Sequence, residues 1–104
     1  MIPLCRLEEL TDPGSAAFTL TDGSPILVVR KGSAVFAYRN YCPHAGHPLD
    51  WTPGQFLDLD RNFILCASHG ASFLIESGYC VGGPCAGKSL DSLPVHLEDG
   101  VVWA

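Results

Sequence analysis

"YCPHAGHPL" occupies residues 41–49, and "LCASHGASF" occupies residues 65–73. Each stretch sets one cysteine beside one histidine and follows the pair with a glycine. Cys42 and His44 are spaced C-x-H, and Cys66 and His69 are spaced C-x-x-H. Gly46 comes two residues after the first histidine, and Gly70 directly follows the second. A thiolate is a soft metal ligand and an imidazole a borderline one. Two of each satisfy one tetrahedral metal, or two metals that share bridging atoms. Each pair can project from a single loop, and the 21 residues between His44 and Cys66 suffice for a turn, a strand and a return. Two such loops can face each other over a shared centre, the glycines letting the backbone bend close to the ligands.

The sequence around these loops reads as sheet. Eleven glycines and eight prolines cut the chain into short pieces, the pattern of many short strands rather than helices. "AAFTL" (16–20) reads as a strand ended by the Asp22-Gly23 turn signal. "PILVVR" (25–30) and "AVFAYRN" (34–40) flank "KGS" as a hairpin, with Ile26, Val28, Val35 and Ala37 suited to sheet faces. "NFILC" (62–66) and "SFLIE" (72–76) are further strands. The strongest hairpin signal is "VHLE-DG-VVWA" at the end, around Asp99-Gly100. Leu4, Leu7 and Leu10 in the opening segment are three apart, but that run is too short for an independent helix. The fold class expected is all-β, built of small sheets, with residues 41–56 and 66–72 as loops carried on them.

Bulk properties narrow the function. A chain of 104 residues suits a single domain, 1–104, with a real core. With 47% hydrophobic and 16% charged residues it is globular rather than disordered. Its formal charge of −5 and six scattered Lys and Arg residues argue against nucleic-acid binding. No apolar run is long enough to cross a bilayer, and the start shows no basic-then-apolar signal pattern. A cytoplasmic location follows by default, where thiols stay reduced. Five cysteines is an odd count for a complete disulfide framework, so metal binding is the better use for some of them.

Two metal centres remain open from the residues alone. One is a structural zinc with Cys2His2 ligation, although zinc fingers of that composition usually pair cysteine with cysteine and histidine with histidine. The other is a [2Fe–2S] cluster with two cysteines on one iron and two histidines on the other. The order Cys-His, Cys-His then has a reason, because each loop supplies one ligand to each iron.

Taken together, C-x-H and C-x-x-H with their glycines resemble the Rieske [2Fe–2S] family, most closely its small soluble ferredoxins from dioxygenase systems. The resemblance implies an all-β domain of small antiparallel sheets, with a cluster-binding portion at about 41–87 made of two loops and a proline loop. "GGPCAG" (82–87) stands where the proline loop belongs. By that match Cys42 and Cys66 bind the inner iron of one [2Fe–2S] cluster, and His44 and His69 bind the outer one. The gap between the motifs is a little longer than such ferredoxins show, and "TPGQFLDLDRN" (52–62) carries the excess.

The resemblance also bears on potential. High-potential members resemble C-T-H-L-G-C and C-P-C-H-G-S, with a disulfide joining the loops. The matching positions here are His47 and Ser68, which cannot form it. Serine and tyrosine hydroxyls that bond cluster sulfur in those members fall on Ala71 and Phe73. Hydrogen bonds to sulfur favour the more negative, reduced cluster. Their absence places this chain near the bottom of the Rieske range of about −150 to +300 mV. Ser72, one place further on, is read as pointing elsewhere.

The function so implied is a one-electron carrier that takes an electron from a flavin reductase and delivers it to a terminal oxygenase, with no catalysis and no small-molecule substrate of its own. Two other roles fit the same residues: a Rieske-type small subunit of a larger, nitrite-reductase-like enzyme, and a zinc-stabilised interaction module. Neither loop carries a charged residue from Tyr41 to Leu49 or from Cys66 to Ile75, which suits a small, transient docking patch. His47 reads as a surface residue, and His96 and Cys5 as structural. Cys80 and Cys85, on either side of Gly82-Gly83-Pro84, read as free thiols used for packing, with a bridge between them as the alternative.

Overall fold

The computed structural model describes residues 2–41, 49, 54–58, 62–66, 70–83 and 87–104. Among these, ten strands run in chain order. They are β1 (Pro3–Arg6), β2 (Gly14–Thr19), β3 (Pro25–Lys31), β4 (Ala34–Arg39), β5 (Phe63–Leu65), β6 (Ser72–Leu74), β7 (Cys80–Gly82), β8 (Ser92–Leu93), β9 (His96–Glu98) and β10 (Val101–Trp103). A single 3-10 turn, Leu7–Glu9, follows β1. The strands form three antiparallel sheets, ordered β1-β10-β9, β2-β3-β4-β8 and β5-β6-β7. The all-β expectation holds.

Strand β3 explains the arrangement. "PILVVRK" is apolar without alternation, and Ile26, Leu27, Val28 and Val29 are all fully buried. A continuous apolar run of this kind marks a strand covered on both faces. Ile26 and Val28 pack with Ala37, Leu10 and Val102, with Leu97 against them, on the side of the β1-β10-β9 sheet. Leu27 and Val29 pack with Tyr38, Ile64, Phe73 and Ile75, on the side of the β5-β6-β7 sheet. Strand β4 obeys the same period of two, Val35 and Ala37 serving one core and Phe36 and Tyr38 the other. The central sheet thus separates two apolar cores, and the second carries the LCASHGASF motif.

The expected hairpins are present. Val28 faces Ala37 in the β3–β4 ladder, and Val101 faces Glu98 across the Asp99-Gly100 turn, where both turn residues have positive φ. The opening segment differs from its leucine spacing. Residues 3–6 are extended and pair with β10, and only Leu7–Glu9 coil, the Glu9 carboxylate accepting the Arg6 N–H at 2.8 Å. Segment 52–62, read as excess loop, is partly built into the core. Phe56 and Leu57 are buried, Leu57 bridges Ile64, and the Leu65 N–H donates to the Phe56 carbonyl at 2.7 Å. The Ser15 hydroxyl donates to the Gly54 carbonyl at 2.9 Å and accepts the Phe56 N–H at 3.2 Å, tying this segment to β2.

Tyr38 couples the central sheet to the motif-bearing one. Its hydroxyl donates to the Ile75 carbonyl at 2.6 Å from a fully packed ring. Burial, with the nearby Glu76 charge second, pushes its pKa up to about 12, so it stays a neutral donor. Lys31 pairs with Glu76 across the same joint, and that contact holds the Glu76 carboxyl below the usual range. Tyr38→Phe leaves the Ile75 carbonyl without this donor, and a loss of about 1–2 kcal/mol is expected in denaturant unfolding. An unfolding midpoint equal to wild type contradicts the coupling.

Candidate metal centre

Of the four candidate ligands, Cys66 lies among the described residues; Cys42, His44 and His69 lie outside them, as do His47, Trp51 and Cys85. Cys66 is fully buried directly after β5. Its N–H donates to the Ala71 carbonyl at 2.8 Å, and its carbonyl accepts the Gly70 N–H at 3.0 Å. The β5–β6 ladder, with Leu65 opposite Ser72, therefore continues one step further and closes the second motif into a tight loop on its own backbone. Gly70 sits at φ +69 inside that loop, a conformation that L side chains rarely adopt.

The first motif reaches the same place from its far end. Leu49, the last residue of "YCPHAGHPL", is fully buried and belongs to the same core as Cys66, Ala71, Phe73 and Cys80. The structure thus brings the end of one Cys-His motif and the cysteine of the other into a single apolar cluster, although 16 residues lie between Leu49 and Cys66 in sequence.

The third segment also meets the second loop. Gly83 has φ +88, and a Cβ there would fall 2.7 Å from the Cα of Ala71. The start of "GGPCAG" therefore lies flat against the loop that carries Cys66, at a distance only glycine permits. Sequence reading placed this segment by resemblance alone; the contact with Ala71 is a tertiary fact that spacing does not encode. Cys80 is buried and unbridged, its Sγ donating to the Gly82 carbonyl at 3.1 Å, in keeping with the packing role expected of it. Cys5 is half-buried on the opposite core, and burial, with Glu9 second, pushes its thiol pKa up, the reverse of a reactive thiolate. His96 is exposed, and its Nε2 lies 3.2 Å from a Glu98 carboxylate oxygen at the surface.

These features suit an iron–sulfur centre. A buried thiol in an apolar core, a glycine-bent loop and a second glycine-lined segment pressed on it form a cradle with a soft donor inside. The fold is that of a small all-β domain of three antiparallel sheets. A profile of the Rieske [2Fe-2S] domain matches residues 1–96, and the chain belongs to that family. It binds one Rieske-type [2Fe–2S] cluster.

Solved structures agree. The chain is 29% identical to the Sphingomonas yanoikuyae B1 ferredoxin, with 97% of this chain and 93% of that one covered and a TM-score of 0.77. The ferredoxin of carbazole 1,9a-dioxygenase from Nocardioides aromaticivorans IC177 is 26% identical, covering 98% and 95%, with a TM-score of 0.77. The terminal oxygenase of the same Nocardioides system is also 26% identical, with 96% of this chain covered but only 28% of the oxygenase, at a TM-score of 0.79. No curated protein is a significant match to the chain.

Phe73 is fully buried beside Cys66 in this core, while Ser72, on the opposite face of β6, is half-buried and outside it. The strand's alternation thus supports the expectation that Ser72 does not stand in for the hydroxyls missing at 71 and 73. Phe73→Tyr should raise the midpoint potential by roughly 40 mV, the one-electron equivalent of about 1 kcal/mol from one hydrogen bond. A fall in voltammetry contradicts the hydrogen-bond reading. Gly83→Ala combines a left-handed backbone with a clash against the Ala71 backbone. It should cost about 2–3 kcal/mol in unfolding experiments, and a wild-type stability curve rules out the close packing.

Proposed function

We propose that the chain is a Rieske ferredoxin that passes single electrons from a flavin reductase to a terminal oxygenase, without catalysing a reaction itself. The observation that carries this reading is the likeness, over nearly the full length of both chains, to two ferredoxins, one of them the ferredoxin of a carbazole dioxygenase. A further structure of lower identity, 20%, holds a reduced oxygenase with an oxidised ferredoxin, which illustrates the kind of partner meant.

In this reading Cys42 and Cys66 hold one iron, and His44 and His69 hold the other. When bound, the cluster accepts and releases one electron. The protein's own part is to hold the ligands still. Cys66 sits in a loop closed by paired backbone groups, on a core from which Leu49, Ala71 and Phe73 exclude water. A ligand set that hardly moves between charge states keeps the cost of electron transfer small. The whole chain, 1–104, is read as one domain with 41–87 as its cluster-binding portion. No helix among the described residues is long and apolar enough to cross a membrane, and a cytoplasmic location is proposed with the reduced thiols in mind.

The test is reconstitution. Purified holoprotein, reduced by a flavin reductase, should transfer electrons to a Rieske-type terminal oxygenase and support its turnover. Cys66→Ser should lose both the visible absorbance and the transfer. A holoprotein that takes electrons but elutes from cell extract only as a fixed part of a large reductase contradicts the free-carrier role. Unchanged absorbance in Cys66→Ser contradicts the ligand assignment.

A further inference from the structure

The two ligand motifs are closed by different means. The second is closed by backbone pairing, Cys66 with Ala71 and Leu65 with Ser72. The first runs over the eight residues 41–48, between Asn40, directly after β4, and Leu49. Here the described closure is a side chain: Asn40 Oδ1 accepts the Leu49 N–H at 2.8 Å.

Asn40 is buried, with 6% of its surface exposed, and it is the one buried polar or charged residue among those described. Placing an amide in an apolar interior costs free energy unless its hydrogen bonds are met, so a core position is usually given to an apolar side chain. The backbone of Asn40 is itself fixed to the central sheet, its N–H donating to the Pro25 carbonyl at 3.0 Å. Leu49, the other end of the bond, is fully buried in the core that contains Cys66. One amide oxygen thus joins three things: the central sheet, the far end of the first ligand motif, and the core beneath the second.

We infer that Asn40 is a positioning residue for the metal centre, a buried side-chain clasp that fixes the span of the Cys42–His44 loop as backbone pairing fixes that of the Cys66–His69 loop. The inference rests on the ligand assignment proposed above. It differs from a general stabilising role, because loss of the clasp loosens one ligand loop while leaving the three sheets and the other loop intact.

The experiment compares Asn40→Leu with Tyr38→Phe in the loaded protein. Each removes a buried side-chain bond to a backbone group; Tyr38 Oη lies on the same core but bonds Ile75, two residues past the second motif. Three quantities are read: thermal unfolding, the rate at which a chelator bleaches the visible absorbance, and the line shape of the reduced-state paramagnetic resonance signal. Asn40→Leu should bleach roughly tenfold faster than wild type and broaden the resonance lines. Tyr38→Phe, at a similar loss of thermal stability, should bleach at close to the wild-type rate with unchanged lines. Equal acceleration in both variants, or resonance lines in Asn40→Leu that superimpose on wild type, overturns the clasp.

If Asn40→Leu does not fold, hydrogen exchange of the wild-type holoprotein decides. The Leu49 amide should exchange as slowly as those of Val28 and Val29 in the central strand, and rapid exchange overturns the proposal. Failure of the ligand assignment looks different. In that case the wild-type protein itself gives no Rieske-type signal after reconstitution with iron and sulfide, whatever the variants do.

Discussion

The burial of β3 on both faces is the constraint on which the rest of the molecule depends. Ile26 and Val28 on one side and Leu27 and Val29 on the other leave no face of this strand for water. A strand of this kind requires a cover on each side, and the chain supplies one from its two ends and one from its middle. The terminal cover, β1-β10-β9, joins residues nearly the whole sequence apart, Pro3 against Trp103. The middle cover, β5-β6-β7, is the piece that holds Cys66. The sheet that carries Cys66 is therefore the second lid of a core that the sequence must bury in any case, and its position is set by the hydrophobic effect before any ligand chemistry is considered.

On that base, short polar contacts supply the precision that apolar packing lacks. Tyr38 reaches across to Ile75, Ser15 holds Gly54 and Phe56, and Asn40 holds Leu49. Ser15, in β2, and Asn40, directly after β4, so hold segments that follow or carry the first Cys-His motif, whereas Tyr38 joins the central sheet to a residue beyond the second. Apolar surfaces tolerate sliding; a hydrogen bond from a buried donor or to a buried acceptor does not, because breaking it leaves a desolvated polar group. An electron carrier needs that kind of stiffness, since every displacement of a ligand between charge states adds to the barrier. Packing of Gly83 against Ala71 adds a further restraint near Cys66.

Much of this was legible in the sequence, for local reasons. The β3–β4 and β9–β10 hairpins are visible because β-branched and aromatic runs flank short turns, and Asp99 and Gly100 both take the positive φ that such a turn demands. The Cys-His motifs on which the proposed ligand set rests are visible because cysteine, histidine and glycine at fixed spacing have few other uses. What was hidden is non-local. Strand β1 is defined by a partner at the other end of the chain, and its leucine spacing imitated a helix. Strands β7 and β8 are three and two residues long and exist by their pairing rather than their pattern. Phe56 and Leu57 lay in a stretch rich in Gly, Pro and Asp that reads as loop, yet they are core. Asn40 looked like the polar end of a strand, and only its distance to Leu49 gives it a role.

The central claim is that this fold holds a pair of iron atoms between two thiolates and two imidazoles. Pulsed electron paramagnetic resonance of the reduced, reconstituted protein tests it most directly, since it detects nitrogen bound to the paramagnetic centre. The account predicts hyperfine coupling to two histidine nitrogens. A reduced centre with no nitrogen coupling, as in an all-cysteine cluster, or a protein that retains no iron, contradicts it.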